Sequence, residues 1–396
     1  MTKNEYRLLT SRAVNKIGNV IYDYGNSSWI AGLGVVGQKY LGYYQLVDSL
    51  IALFLNPIGG AIADRYKRRQ ILLWTDAIGA IACGLLTFMP SKQGMLFGLI
   101  TVNAILAISH AFSGTSFRAY VVTLVKEERL VDFNAHLEII SQIISISSPL
   151  LAFGVVDRLG LRPALLLDSI SFALSFVCLW SITTKETHLQ PKSGQIDIRH
   201  LLTDIKEGLD FIHREKEIFF LLTIATLVNF FIAAFNYLLP FSNQLFNRSS
   251  SYATMLSLGA VGAILGALFA NKYFKNNYQS LLIALGISGL GLAMLTPLHL
   301  AKVSTLVLAS GNLWFECFLT IFNIHFFSMV QKKVPKALLG RVFSSIFTLA
   351  VLLMPLATIL MTALPMSVNP LSFSLIGFGI SLTSLLAYIY ARQHFM

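Results

Sequence analysis

Apolar residues run through this chain in long blocks broken by short polar stretches, and the blocks fall into twelve segments. They lie at 12–36, 41–62, 71–89, 95–116, 134–155 and 162–182, then at 217–240, 251–270, 280–297, 304–328, 342–364 and 373–390. Each is about as long as the roughly 20 residues a helix needs to cross the hydrocarbon core of a bilayer. The pattern predicts an all-α membrane protein of twelve transmembrane helices in two six-helix bundles. The longest break, 183–216, divides the chain into 1–182 and 217–396, and the equal halves suggest an internal repeat of the kind seen in secondary transporters. Within that break Ile198, Leu201, Leu202, Ile205, Leu209 and Ile212 recur at helical spacing, so an amphipathic helix along the membrane surface is expected there.

Charge fixes the direction of threading. Of the 30 Lys and Arg residues, 23 sit in one alternating set of breaks and only 6 in the other. The positive-inside rule then places both termini in the cytoplasm, and one missed span would have scrambled the alternation. The net charge of +11 raises the question of nucleic acid, but the basic residues lie in short breaks between apolar runs rather than on a folded soluble surface. Charged residues make up 12% of the chain, about half the share of a typical soluble domain. Cys83, Cys178 and Cys317 all fall inside apolar segments, without metal-ligand or disulfide spacing. No cleavable signal peptide is legible at the start. There is no phosphate-binding loop, no His-Glu-x-x-His and no Gly-x-Ser-x-Gly, so an enzyme, a direct use of ATP, a metal and a cofactor are not expected.

Acids inside the membrane carry the functional signal, because burying one costs about 2.5–3.5 kcal/mol on insertion scales. Asp23 and Glu316 sit near the middle of the first and tenth segments. Each belongs to a polar stripe with the same offsets: Asn15, Asn19, Asp23 and Asn26 in one, Asn312, Glu316, Thr320 and Asn323 in the other. That spacing puts each set on one helix face. Asn103 and His110 in segment 4, and Thr226, Asn229 and Asn236 in segment 7, form weaker stripes. The other reading of the Asn residues is hydrogen bonding that holds helices together. Asp48, Asp76, Glu138 and Asp168 lie nearer the segment ends and read first as interfacial or helix-end residues. Tyr22, Trp29, Phe117, Phe230, Tyr237 and Trp314 are candidate aromatic lining, against packing or lipid contact as the alternative.

The stretch "NPIGGAIADRYKRRQ" between segments 2 and 3 reads Gly60-x-x-x-Asp64-Arg65-x-x-Arg68-Arg69. It resembles the loop signature of the major facilitator superfamily, with Lys67 in place of the signature's second glycine. "LVKEERLVDFNAHLE", "ALLLDSISFALSF" and "VPKALLGRVFSSIF" are similar to the macrolide-efflux branch of that superfamily's drug–proton antiporters. In segment 5 "SISSPLLAFG" keeps Pro149 but departs from the glycine-rich antiporter motif. The resemblance implies two six-helix lobes, with helices 1, 4, 7 and 10 lining a central cavity. Independently of the family, Asp64 is suited to a charge–dipole latch at the inner end, with Arg118 as its cation. Arg65, Lys67, Arg68 and Arg69 have the alternative of fixing topology and touching anionic lipid headgroups.

These readings converge on a proton-coupled exporter of amphiphilic, drug-like compounds in a bacterial cytoplasmic membrane. Its partners are a small amphiphilic substrate, protons and membrane lipids, with no nucleic acid, and the chain is expected to act as a monomer. A lysolipid or glycolipid flippase on the same fold, and a membrane sensor that transports nothing, are the alternatives.

Overall fold

The computed structural model describes residues 1–183, 210–275, 277–334, 339–364 and 367–395, with the side chains of 56–65, 127, 131, 271, 339–341 and 343–344 excepted. The described residues are helical nearly throughout and contain no strand. Six helices come first: α1 (Lys3–Ala31), α2 (Val35–Arg65), α3 (Arg68–Thr87), α4 (Lys92–Leu124), α5 (Leu130–Leu159) and α6 (Leu161–Trp180). The second series is α7 (Lys216–Leu238), α8 (Ser251–Tyr273), α9 (Tyr278–Ala293, continuing as Leu295–Leu300), α10 (Thr305–Lys333), α11 (Leu339–Ala350 and Met354–Ala363) and α12 (Pro370–His394). Of the linker helix expected from the apolar spacing, residues 198–209 lie outside the described residues; Ile212 is buried.

Among the described residues, five helix starts are capped by short polar side chains. Thr2 caps α1 reciprocally with Glu5: its hydroxyl accepts the Glu5 N–H, and the Glu5 carboxylate accepts the Thr2 N–H at 2.8 Å. Ser91, Asn277, Ser304 and Asn369 cap α4, α9, α10 and α12 in the same way, each accepting an N–H three residues on. Such caps satisfy backbone donors where a helix leaves the membrane core. The eleventh apolar segment is a single candidate span, Ser345–Ala363, as expected, but it is not one unbroken helix. Its helix breaks at Val351–Leu353, ahead of Pro355, which cannot donate an amide hydrogen bond and restricts the residue before it.

The chain divides into two compact units, Met1–Ile196 and Asp197–Met396. In the first, α1 packs on α5 and α6, α3 packs on α4 and α6, and α2 packs on α4. In the second, α7 packs on α11 and α12, α9 on α10 and α12, and α8 on α10. Adding six to each helix number converts one set into the other, so both units are built on one packing plan. An ion pair repeats with it. Glu5 at the start of α1 meets Arg129, just after α4, at 2.8 Å. Glu217 at the start of α7 meets Lys333, at the end of α10, at 2.5 Å.

Among the described residues, ten helices are long and apolar enough to cross a membrane. Their outward faces explain the composition. On α12 the exposed residues Leu371, Leu375, Phe378, Leu382 and Leu386 line one side at helical spacing. Such a face is suited to acyl chains and to nothing in water. α1 is long enough to span but is not among the ten, because it carries polar residues on its buried side (Ser11, Asn15, Asn26, Ser27) as well as on its exposed face.

Candidate functional site

The exposed positions of α1 are polar. Arg12 and Asp23 are exposed, and Lys16 and Asn19 between them are part-exposed, at offsets of 0, 4, 7 and 11 that make one face. Where α12 turns leucine and phenylalanine outward, α1 turns two cations, an amide and a carboxylate outward. Charges turned outward are solvated poorly by hydrocarbon, so this face needs water or ligand beside it.

Asp23 is held from α2. The Tyr44 hydroxyl donates to its carboxylate and in turn accepts from Asn26 Nδ2 at 3.4 Å. Asp48, also on α2 and exposed, stands within electrostatic reach of Asp23. The sequence alone places Asp48 near an interface; the helix pairing makes it the second acid of this face. Lys16 reaches across to α5, where its ammonium donates to the Ser141 carbonyl at 3.0 Å and contacts the Ser141 hydroxyl.

Behind that face a hydrogen-bonded chain enters the lobe. Asn19 Nδ2 donates to Asn15 Oδ1 at 3.0 Å, and Asn15 Nδ2 donates to Asp76 Oδ1 on α3 at 3.2 Å. The Ser175 hydroxyl from α6 donates to Asp76 Oδ2 at 2.5 Å and lies 2.8 Å from the Ser11 hydroxyl of α1. A cavity of about 30 Å³ adjoins this cluster, walled also by Arg12, Thr75, Ser109, His110 and Ser113. Asp76 is therefore an interior residue that joins α3 to α1 and α6, not the interfacial one its place in the segment suggests. The same correction applies to Asp168, fully buried on α6. It accepts from the Cys83 thiol at 3.4 Å and the Ser171 hydroxyl at 3.2 Å, directly under Gly18 of α1.

The asparagines divide between the two readings. Asn26 and Asn103 are buried, and both bind Tyr44, Asn103 through its backbone carbonyl at 2.9 Å; they join α1 and α4 to α2. Asn312 is buried and donates to the Met255 carbonyl of α8 at 2.7 Å. These three hold helices together. Asn229 bonds its own helix at Ala225, while Asn236 and His110 are exposed. Glu316 is half-buried in the seam between α10 and α8, one turn from Asn312, with its Cγ against Gly259.

The six aromatic candidates divide evenly, three packed inside their lobes and three reaching the surface. Tyr22 and Tyr237 are buried in their lobes, Tyr237 bonded to Thr362 of α11. Phe117 is a core residue whose ring carries the Arg12 guanidinium at 5.1 Å. Trp29 and Phe230 are part-exposed and Trp314 is half-exposed beside Phe318.

Arg68 and Arg69 do something the sequence did not suggest. Arg68 donates to the Ala119 carbonyl and the Thr123 hydroxyl near the end of α4. Arg69 donates to the carbonyls of Leu179 and Trp180 at the end of α6, at 3.1 and 2.6 Å. Cations at helix C-termini satisfy orphan carbonyls and oppose the helix dipole. The two arginines thus tie the start of α3 to two neighbours. The side chains of Gly60, Asp64 and Arg65 lie outside the described residues, so the pairing expected of Asp64 does too; Arg118 is exposed. Arg69→Ala is expected to destabilise the protein by about 1 kcal/mol, after discounting charged hydrogen bonds for solvent exposure. Thermal unfolding in detergent reads this, and Arg69→Lys should restore only part, since an ammonium cannot fork between two carbonyls.

The sequence profile of the Major Facilitator Superfamily matches residues 36–358. The chain belongs to this superfamily of transporters. Macrolide efflux protein A of Streptococcus pyogenes is 27% identical over 333 residues, covering 81% of this chain and 79% of that protein. The enterobactin exporter EntS of Shigella flexneri is 24% identical over 330 residues, covering 80% and 72%. Among solved structures, a bacterial homologue of the iron transporter ferroportin in an inward-facing state superposes with a TM-score of 0.72 at 17% identity, over 98% of each chain. That likeness concerns the fold. Family and helices together make the chain a multi-pass membrane transporter of the major facilitator fold.

Proposed function

We propose that this transporter is a proton-coupled exporter of amphiphilic, drug-like compounds, working by alternating access in a bacterial cytoplasmic membrane with both termini inside. The observation that carries the reading is the polar outward face of α1, in a lobe where the exposed positions along the middle of α3 (Trp74, Ile78, Ile81, Leu85) and α6 (Leu166, Ile170, Leu174, Val177) are apolar. A helix that shows Arg12, Lys16, Asn19 and Asp23 to its surroundings borders a wet path, and a path through the membrane is what a transporter must provide. Asp23, backed by Tyr44 and Asp48, is the carboxylate best placed to exchange a proton for a cationic group of the substrate; Glu316 is the second acid. Export rather than uptake is supported by the names of the sequence relatives, one a macrolide efflux protein and one an enterobactin exporter.

Proteoliposomes test it. Loaded with a pH-sensitive dye and given a macrolide, they should show substrate-driven proton movement together with macrolide counterflow. Counterflow without proton movement would leave a transporter with another energy source. Saturable binding with neither would make the chain a sensor, and transport confined to acyl-bearing substrates would make it a flippase.

A further inference from the structure

We propose that Asp76 is a second, internal proton-binding site, and that its protonation sets whether the face of α1 accepts a cationic substrate. The inference rests on the proton-coupled reading above and adds to it a residue on α3, away from the substrate face.

The hydrogen bonds around Asp76 suit both of its protonation states without repacking. As a carboxylate it accepts from Asn15 at Oδ1 and from Ser175 at Oδ2. As an acid its Oδ2–H donates to Ser175, whose hydroxyl turns to donate to Ser11, 2.8 Å away. A hydroxyl needs only to rotate for this exchange. Asn19 holds the Asn15 amide with its NH₂ toward the carboxyl by donating to Asn15 Oδ1. The adjoining cavity of about 30 Å³ exceeds the roughly 10–15 Å³ that one water needs, and Ser109, His110, Ser113 and Thr75 supply it with polar partners. Two of its walls, Arg12 and His110, are exposed, so a hydronium ion has a way in. It transfers H⁺ to the carboxylate and leaves as water; no other bond forms or breaks. Asp168 has comparable partners but does not line this cavity.

The sign of the coupling follows from Arg12. Among the described residues, the titratable groups facing Asp76 are Arg12 from α1, His110 from α4 and Cys178 from α6. With Asp76 ionised, its charge offsets the Arg12 guanidinium. With Asp76 protonated, Arg12 stands uncompensated on the face that also carries Asp23, and repels a cation there. One proton bound therefore expels one cationic substrate, the stoichiometric logic of an antiporter. Uncharged substrates escape this control.

Binding of tetraphenylphosphonium, a permanent lipophilic cation, to the purified protein tests the idea across a pH series, with uncharged chloramphenicol as comparison. The wild type should bind the cation about tenfold more weakly at acid than at alkaline pH. Asp76→Asn should bind it weakly at every pH, with chloramphenicol binding unchanged. Infrared spectra should show a protonated-carboxyl band that titrates in the wild type and is missing from Asp76→Asn. Should that variant fail to fold, Ser175→Ala keeps the carboxyl and removes its hydroxyl partner, and the band should titrate at a different pH. Cation binding in Asp76→Asn that keeps the wild-type pH dependence, or a titrating band unaltered in both variants, overturns the proposal. A wild type that moves no protons at all would instead fail the broader reading.

Discussion

Asp23→Asn is expected to reduce substrate-driven proton release at least about tenfold while leaving counterflow of the same substrate nearly intact. The amide still accepts the Tyr44 hydroxyl, so the local geometry of α1 and α2 survives, but the group can no longer take or give a proton. Asp23→Leu should lose both activities, because it also discards a charged hydrogen bond worth about 1.5–3 kcal/mol, and each 1.4 kcal/mol is about tenfold in an equilibrium. Asp23→Glu, which keeps the acid on a longer stem, should retain most of the coupling. Glu316→Gln should do less than Asp23→Asn, since Glu316 is half-buried against Gly259 whereas Asp23 is exposed. Proton release measured with an entrapped dye, beside counterflow in the same vesicles, separates these outcomes. Wild-type proton release in Asp23→Asn would remove Asp23 from the mechanism.

The apolar blocks located the helices because hydrocarbon leaves little choice of residue, and the family's loop signature was readable at Arg68 and Arg69. Helix lengths were less legible. α4 runs for 33 residues and α10 for 29, beyond the apolar runs that announce them, since a helix continues into polar flanks once its start is capped. Roles of single polar residues were the least legible. Asn15, Asn26, Asn103 and Asn312 look alike as intramembrane amides, yet Asn26, Asn103 and Asn312 bind neighbouring helices and Asn15 holds a carboxylate. The difference lies in which helix each faces, and periodicity fixes a face without naming its partner. Asp76 shows this most plainly: its distance along α3 suggests an interface, while the packing of α3 on α6 and of α1 on α6 encloses it. Arg69 was ambiguous for a similar reason. A cation near a membrane surface serves lipid headgroups and helix ends equally well, and only the position of the end of α6 decides.

Gly262→Leu in α8 is expected to prevent assembly of the second lobe, and even Gly262→Ala should cost about 1–3 kcal/mol as overpacking. A Cβ at Gly262 would stand 2.1 Å from the Leu313 carbonyl oxygen of α10, and one at Gly266 would stand 2.2 Å from that of Cys317. These obstacles are backbone atoms of a helix, so no rotamer change relieves them, and α8 would have to move away from α10 as a body. The glycines are what allow the two helices to touch, as small residues do wherever membrane helices approach closely. Gly154→Ala in α5 is the matched control. No atom outside its own helix lies within 4 Å of its Cβ position, and losing a glycine there should stabilise the helix by about 0.5–1 kcal/mol. Thermal unfolding in detergent should therefore move in opposite directions for the two alanine variants. Transport should follow stability only in part. Leu313 is one turn from Glu316, so a displaced α10 carries that carboxylate with it, and Gly262→Ala should lose more activity than its folded fraction accounts for. If Gly262→Ala unfolds at the wild-type temperature, α8 and α10 are not in the contact described, and the placement of Glu316 in their seam falls with it.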